Sequence, residues 1–208
     1  MSAPGAFISF EGGEGAGKST AARALAAWLQ QSGREVVLTR EPGGTPGAEA
    51  IRALLRDPAT ALTPLADTLL HVAARADHVA TLIRPALARG AIVITDRFQD
   101  STMAYQAFGL GVDRRTIDLL SSLIGLQPDL TFILRLDAAT ARRRLETRGD
   151  AADRYDLLGS DFMARVAAGF DEIAAAEPDR CVTIDAAQSP AAVLTAVRDI
   201  LRERLGVP

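Results

Sequence analysis

The apolar run Phe7-Ile8-Ser9-Phe10 is followed at once by Gly12-Gly13-Glu14-Gly15-Ala16-Gly17-Lys18-Ser19, and a helical periodicity begins at Thr20. The octapeptide satisfies G-x-x-x-x-G-K-[ST], and a strand before it and a helix after it are the setting that pattern needs. Few folds accommodate this succession. A strand must end in a turn whose glycines let the backbone curl, so that successive N–H groups converge at the amino end of a helix. That end carries partial positive charge, which makes it a seat for phosphate. Lys18 can neutralise the β- and γ-phosphates of an ATP-type triphosphate, and the Ser19 hydroxyl can ligate Mg2+. The expected triphosphate-binding residues are Gly12, Gly13, Glu14, Gly15, Ala16, Gly17, Lys18, Ser19 and Thr20. A carboxylate beside phosphates is repelled. Glu14 is therefore either a solvated surface acid or the acceptor of a hydrogen bond from a second substrate, such as a deoxyribose 3′-OH.

The rest of the chain repeats the strand–helix alternation. Short apolar runs at Ala6–Phe10, Glu35–Thr39, Ala91–Thr95, Leu130–Leu136 and Cys181–Asp185 predict five strands. Helical spacing predicts helices at Lys18–Gln31, Leu65–Ala88, Asp113–Leu123, Ala138–Thr147, Phe162–Ala176 and Pro190–Leu205. Continuous apolar strands imply a parallel sheet covered on both faces. The expected fold class is therefore α/β, a three-layer, doubly wound, five-stranded parallel sheet. The 208 residues fit one domain, residues 1–208, with a small helical lid at about 142–156. A net charge of −3 argues against duplex nucleic acid as the partner. The N-terminus has no basic targeting segment, and no apolar run reaches the length of a membrane span, so a cytoplasmic protein is expected. The single cysteine, Cys181, excludes an intramolecular disulfide and reads as a buried core thiol.

Two further stretches sit at the ends of predicted strands. Thr39-Arg40-Glu41-Pro42-Gly43-Gly44-Thr45 leaves the second strand through a Pro-Gly turn. Asp96-Arg97 ends the third, where an aspartate can hold magnesium, directly or through water, and an arginine can clamp an acceptor phosphate. After it comes Phe98-Gln99-Asp100-Ser101-Thr102-Met103-Ala104-Tyr105-Gln106. With Phe10–Thr20, Ala73-Ala74-Arg75, Arg148-Gly149 and Asp153-Arg154, these stretches resemble bacterial thymidylate kinases, in the family's order and over nearly the whole chain.

The resemblance implies transfer of the ATP γ-phosphoryl group to dTMP, giving dTDP and ADP, by a homodimeric enzyme using Mg2+ held by Ser19 and Asp96. It implies that Glu14 meets the deoxyribose 3′-OH, that Arg75 bonds the thymine edge, and that Arg97 grips the acceptor phosphate, with Arg40 nearby. Thr102, Tyr105 and Gln106 surround base and sugar, Tyr105 as the steric guard against a ribose 2′-OH. One departure stands out. The family's base-stacking phenylalanine is replaced here by His71, whose ring can also stack but can protonate near neutral pH. The alternative is that Phe98 stacks instead.

Arg142-Arg143-Arg144, Arg148 and Arg154 crowd the predicted lid. They read either as a solvated helix face or as a mobile lid reaching the transferring phosphoryl group. The resemblance favours the second, with a lid arginine doing the work that the phosphate loop, lacking one, leaves undone. Arg148 and Arg154 are then the catalytic candidates beside Lys18 and Arg97, and Arg144 packs on adenine. Two rivals remain: another nucleotide or deoxynucleoside kinase on the same fold, and a nucleotide-driven switch or motor acting on a protein.

Overall fold

A computed structural model describes residues 5–148 and 154–207. Strands β1 (Ala6–Glu11), β2 (Val36–Arg40), β3 (Ile92–Asp96), β4 (Leu130–Arg135) and β5 (Cys181–Asp185) form one parallel sheet in the order β2-β3-β1-β4-β5. This is the expected fold class, with strand ends shifted by a residue or so. The strand order reverses about β1, so a crevice opens beyond its carboxyl end, where ligands of such sheets bind.

Residue parity along β1 divides the core. Ile8 and Phe10 face helices α1 (Lys18–Gln31) and α9 (Pro190–Leu205), packing with Leu25, Leu29, Phe132, Val197 and Leu201. The odd residues face the other way. There Phe7 packs with Val93, Ile83 and Phe98, while Ile133 joins Tyr105, Phe162, Phe170 and Cys181. Cys181 is buried as expected, and burial pushes its thiol up to about 12, which leaves it unreactive.

The predicted helix over 65–88 is a continuous rod with an irregular turn. It comprises α3 (Pro64–His78), a π-helical turn (Val79–Ile83) and α4 (Arg84–Ala88). Pro85 lacks the N–H that an α-helix needs and its ring crowds the preceding turn, and the wider π turn directly before it relieves both. Sequence reading passed over α2 (Pro46–Arg56), which follows the Pro-Gly turn. Its signals were Thr45, whose Oγ1 accepts from Ala48 N at 3.3 Å, and Pro46 in the first turn. It also missed α5 (Gln99–Thr102), which runs into a second π turn (Met103–Gly109). Helices α6 (Arg114–Ile124), α7 (Ala138–Arg148) and α8 (Gly159–Ala176) lie close to their predicted positions.

The second face of the sheet buries charge. Arg180 donates to both oxygens of Asp100 at 2.8 Å and to Thr131 Oγ1 at 2.7 Å, and Thr131 meets Ser9 across the strands at 2.7 Å. This pair ties α5, and with it the end of β3, to the far edge of the sheet. Breaking a buried ion pair from one side leaves the other charge uncompensated, at about 3–5 kcal/mol. Asp100→Ala should therefore lower unfolding free energy by about 3 kcal/mol in urea denaturation, whereas Asp199→Ala, on an exposed pair with Arg202, should change it by less than about 0.5 kcal/mol.

Candidate active site

The turn between β1 and α1 holds the backbone as its glycines predicted. Gly12 adopts φ +127°, and a Cβ there would stand 2.4 Å from the Leu134 carbonyl oxygen, so no other residue fits. Lys18 is buried and donates from Nζ to the Gly13 carbonyl at 2.7 Å, folded back over its own loop. It is the chain's sole lysine. Burial lowers its pKa, and Arg97 pushes in the same direction.

Ser19 Oγ donates to Asp96, which joins the carboxyl end of β3 to the start of α1. A hydroxyl and a carboxylate oxygen side by side are hard donors of the type magnesium takes. No group of three or more His, Cys, Asp or Glu among the described residues could cage a metal by itself. Magnesium usually takes one or two protein oxygens and completes its shell with phosphate and water, so the pair fits it.

Arg97 is the one non-glycine residue with positive φ among those described, at 74°. Such a backbone persists only where its surroundings over-determine it. Here Arg97 N donates to Phe10 O at 2.9 Å, and Thr95 Oγ1 donates to Arg97 O at 2.8 Å. The guanidinium donates to Gly12 O (3.1 Å), Ser101 Oγ (3.0 Å), Tyr105 Oη (3.2 Å) and Glu14, and lies over the Tyr105 ring. Beneath it is Glu11, a residue the sequence reading gave no role. Its carboxyl accepts from Phe98 N (2.7 Å) and Ser101 Oγ (2.5 Å), and burial, reinforced by Asp100, raises its pKa to about 8.

Arg97 divides one open cleft of about 1720 Å³. Single-ligand pockets run to about 1,000 Å³, so this cleft has room for two nucleotide-sized molecules. On one side lie the glycine-rich turn, Arg142, Arg144, Gln188 and Pro190. Arg144 reaches the Ala186 carbonyl at 3.0 Å. On the other side lie Arg40, Arg52, Arg56, His71, Arg75, Thr102, Tyr105, Gln106 and Tyr155. The expected acceptor residues thus converge, and α2 adds Arg52 and Arg56. Arg75 is buried and donates to Glu41 Oε2 at 2.7 Å and Thr102 Oγ1 at 3.0 Å. Phe98, the alternative stacking ring, is wholly buried against Phe7 and beneath Arg75, and so presents no open face.

His71 differs from expectation in its chemistry. Its Nε2 meets the Tyr155 hydroxyl at 2.8 Å. Burial, helped by Arg75, pushes its pKa down to about 3, so it does not protonate near neutrality. Asp67 lies 3.8 Å away and would favour the charged ring. That carboxylate is already engaged, accepting from Tyr155 Oη at 2.8 Å and Gln106 Nε2 at 2.9 Å and pairing with Arg154. Asp67 and Tyr155 thus join this side of the cleft, and the sequence reading missed both. The signal for Asp67 was an acid inside a helical apolar pattern. Of the lid candidates, Arg154 sits at this acceptor-side cluster. Residues 149–153 of the predicted lid, and the Arg148 side chain at the end of α7, lie outside the described residues.

The thymidylate kinase family model matches residues 10–197. The chain is 49% identical to a thymidylate kinase of Trichlorobacter lovleyi over 97% of this chain and 99% of that one. It is 51% identical to one from Caulobacter vibrioides over 98% and 99%. A crystal structure of thymidylate kinase from Ehrlichia chaffeensis superposes with a TM-score of 0.78 at 37% identity, covering 95% of this chain and 99% of that one.

The half-buried, uncharged His71 gives a direct expectation. Its folded pKa lies below its ordinary value, so folding loses stability as pH falls from about 6.5 toward 3. In NMR titration its ring shifts should stay flat between pH 8 and 5, and a midpoint near 6.5 would contradict the burial.

Proposed function

The chain belongs to the thymidylate kinase family and phosphorylates dTMP to dTDP; from that premise we propose how its own residues divide the reaction. ATP lies along the glycine-rich turn with its base toward Arg144, and dTMP lies across Arg97 with its base toward Arg75 and His71. The observation that carries this reading is Arg97, whose guanidinium touches the phosphate turn at Gly12 and Glu14 and the opposite wall at Ser101 and Tyr105.

No protein nucleophile is needed. An oxygen of the dTMP phosphate attacks the γ-phosphorus in line; the new O–P bond forms as the β–γ bridging bond breaks, and its electrons pass to the β-phosphate of ADP. Lys18 leaves the Gly13 carbonyl for the β- and γ-phosphate oxygens. Arg97 holds the attacking phosphate against them, with Arg40 close by. Glu14 turns from Arg97 toward the 3′-OH, while Thr102, Tyr105 and Gln106 bound the sugar and base, Tyr105 leaving no room for a 2′-OH. Ser19 and Asp96 hold magnesium, which when bound neutralises charge on the β- and γ-phosphates.

The enzyme is of the lid-arginine type in this reading. The phosphate turn carries Glu14 and no arginine, so Arg148 or Arg154 supplies the positive charge that arginine fingers bring, worth a factor of about 10³–10⁵. Arg154 is held by Asp67 on the acceptor wall, so it must exchange that carboxylate for phosphate oxygens on closure. Closure also excludes water that otherwise would hydrolyse ATP.

We further propose a homodimer through α3 and α6. These helices touch each other and expose Leu65, Leu69, Leu119 and Leu123, each pair one turn apart. Two exposed leucine pairs on adjoining helices form the kind of apolar patch that a second copy covers.

Coupled ADP-release assays with dTMP, dUMP, UMP, CMP, GMP and thymidine should rank dTMP first, and Lys18→Ala should cut turnover at least about a hundredfold with the fold retained. Near-normal turnover of that variant would refute the phosphate role of Lys18. In sedimentation experiments the wild type should run as a dimer and Leu119→Glu with Leu123→Glu as a monomer.

A further inference from the structure

We propose that Glu41 and His78 are positioning residues for Arg75, and that the turn Thr39–Thr45 is the frame that holds them. The inference rests on the reading of Arg75 as the contact to the thymine edge. Arg75 commits Nε to Glu41 and Nη2 to Thr102, and its guanidinium lies 5.0 Å above the Phe98 ring. Nη1 remains, buried and without a hydrogen-bond partner among the described residues. A buried N–H with no acceptor is unfavourable, so such an arm persists where a ligand supplies the acceptor. Arg75 lines the acceptor half of the cleft, and the thymine edge offers carbonyl oxygens.

An arginine holds one arm free in a set direction only if the other arms are fixed. Glu41 does this with both oxygens. Oε2 takes Arg75 Nε, and Oε1 takes His78 Nδ1 at 2.9 Å. A carboxylate only accepts, so His78 Nδ1 carries a proton. With both oxygens engaged, the carboxylate cannot turn away from Arg75. His78 is held in turn, its Nε2 meeting Thr39 Oγ1 on β2 at 2.7 Å. Arg75 and His78 are one turn apart on α3, so both ends of the relay sit on one rigid helix. Glu41 N donates to Asp96 O at 2.9 Å, prolonging the β2–β3 ladder and fixing the backbone from which the carboxylate projects.

Gly44 closes the frame. It adopts φ +87°, and a Cβ there would stand 2.4 Å from Thr39 Oγ1 and 2.7 Å from His78 Nε2. The loop must pass this close to seal the relay from water, and only glycine allows it. His78 and Glu41 are 0% and 5% exposed and lie behind Arg75, so they act through it.

The test is a double-mutant cycle read in steady-state kinetics with dTMP and ATP. His78→Ala should raise the KM for dTMP at least about tenfold, as misplaced positioning groups do, and leave the KM for ATP within about twofold. His78→Asn keeps a donor at the Nδ1 position and should restore most of the loss, while His78→Gln, whose amide reaches past Glu41, should not. In an Arg75→Ala background, His78→Ala should add little further, because its route of action is gone. Additive effects, or equal losses for dTMP and ATP, would overturn the proposal. Should His78→Ala fail to fold, His78→Asn, His78→Gln and Gly44→Ala carry the same comparison. If Arg75→Ala alone leaves the dTMP KM unchanged, the base-contact reading of Arg75 fails instead, which is a separate result.

Discussion

Everything at this site hangs on Arg97. Its backbone is in a conformation that non-glycine residues seldom adopt, and its side chain spans the cleft from the phosphate turn to the acceptor wall. The two facts are connected. Helical or extended dihedrals at the end of β3 would send the chain and the guanidinium elsewhere. The bond from Arg97 N to Phe10 O joins β3 to the start of the phosphate turn, so the strain is confined by the strand that carries the glycine-rich motif. In the proposed reading one arginine thereby sets the distance between two phosphate sites, and distance and alignment are most of what phosphoryl transfer asks of a protein.

Below that arginine the protein buries an unusual amount of charge, in a particular arrangement. Glu11 supports the Phe98–Ser101 turn, Asp100 and Arg180 anchor α5, Glu41 fixes Arg75, and Asp67 collects Tyr155, Gln106 and Arg154. Each carboxylate accepts at least two hydrogen bonds, and so each side chain at the cleft surface is held from behind. Low-dielectric surroundings make these networks directional and make a missing partner costly. Arginine serves almost every cationic role, because it stays charged when buried. Lys18 is the exception, a compact buried charge that in the proposed reading the phosphates stabilise.

Periodicity and local chemistry carried much of this into the sequence. Five apolar runs with helices between them give a parallel sheet, because a strand buried on both faces has no alternation to disguise it. The glycine-rich turn was legible for the same reason, since its requirement is local. What escaped was short or non-local. Helix α2 was overlooked because the Pro-Gly turn dominates its beginning, and with it went Arg52 and Arg56. The π turns leave no mark in a pattern of apolar spacing, except that Pro85 needs one. His71 was legible as a residue that lines the cleft but not as an uncharged ring, since its charge depends on burial and on Arg75.

By itself, then, the chain's order of residues determined which segments become strands and helices, where the phosphate turn lies, and which arginines stand at strand ends, because each depends on interactions within a few residues. Only the tertiary structure decided which side chains answer one another. Glu41 with His78, Asp67 with Arg154 and Asp100 with Arg180 are separated by 37 to 87 positions. Their meeting depends on how the strands are ordered about β1 and on which face each residue occupies. Burial then shifted the chemistry of the groups around them, raising the pKa of Glu11 to about 8 and lowering that of His71 to about 3.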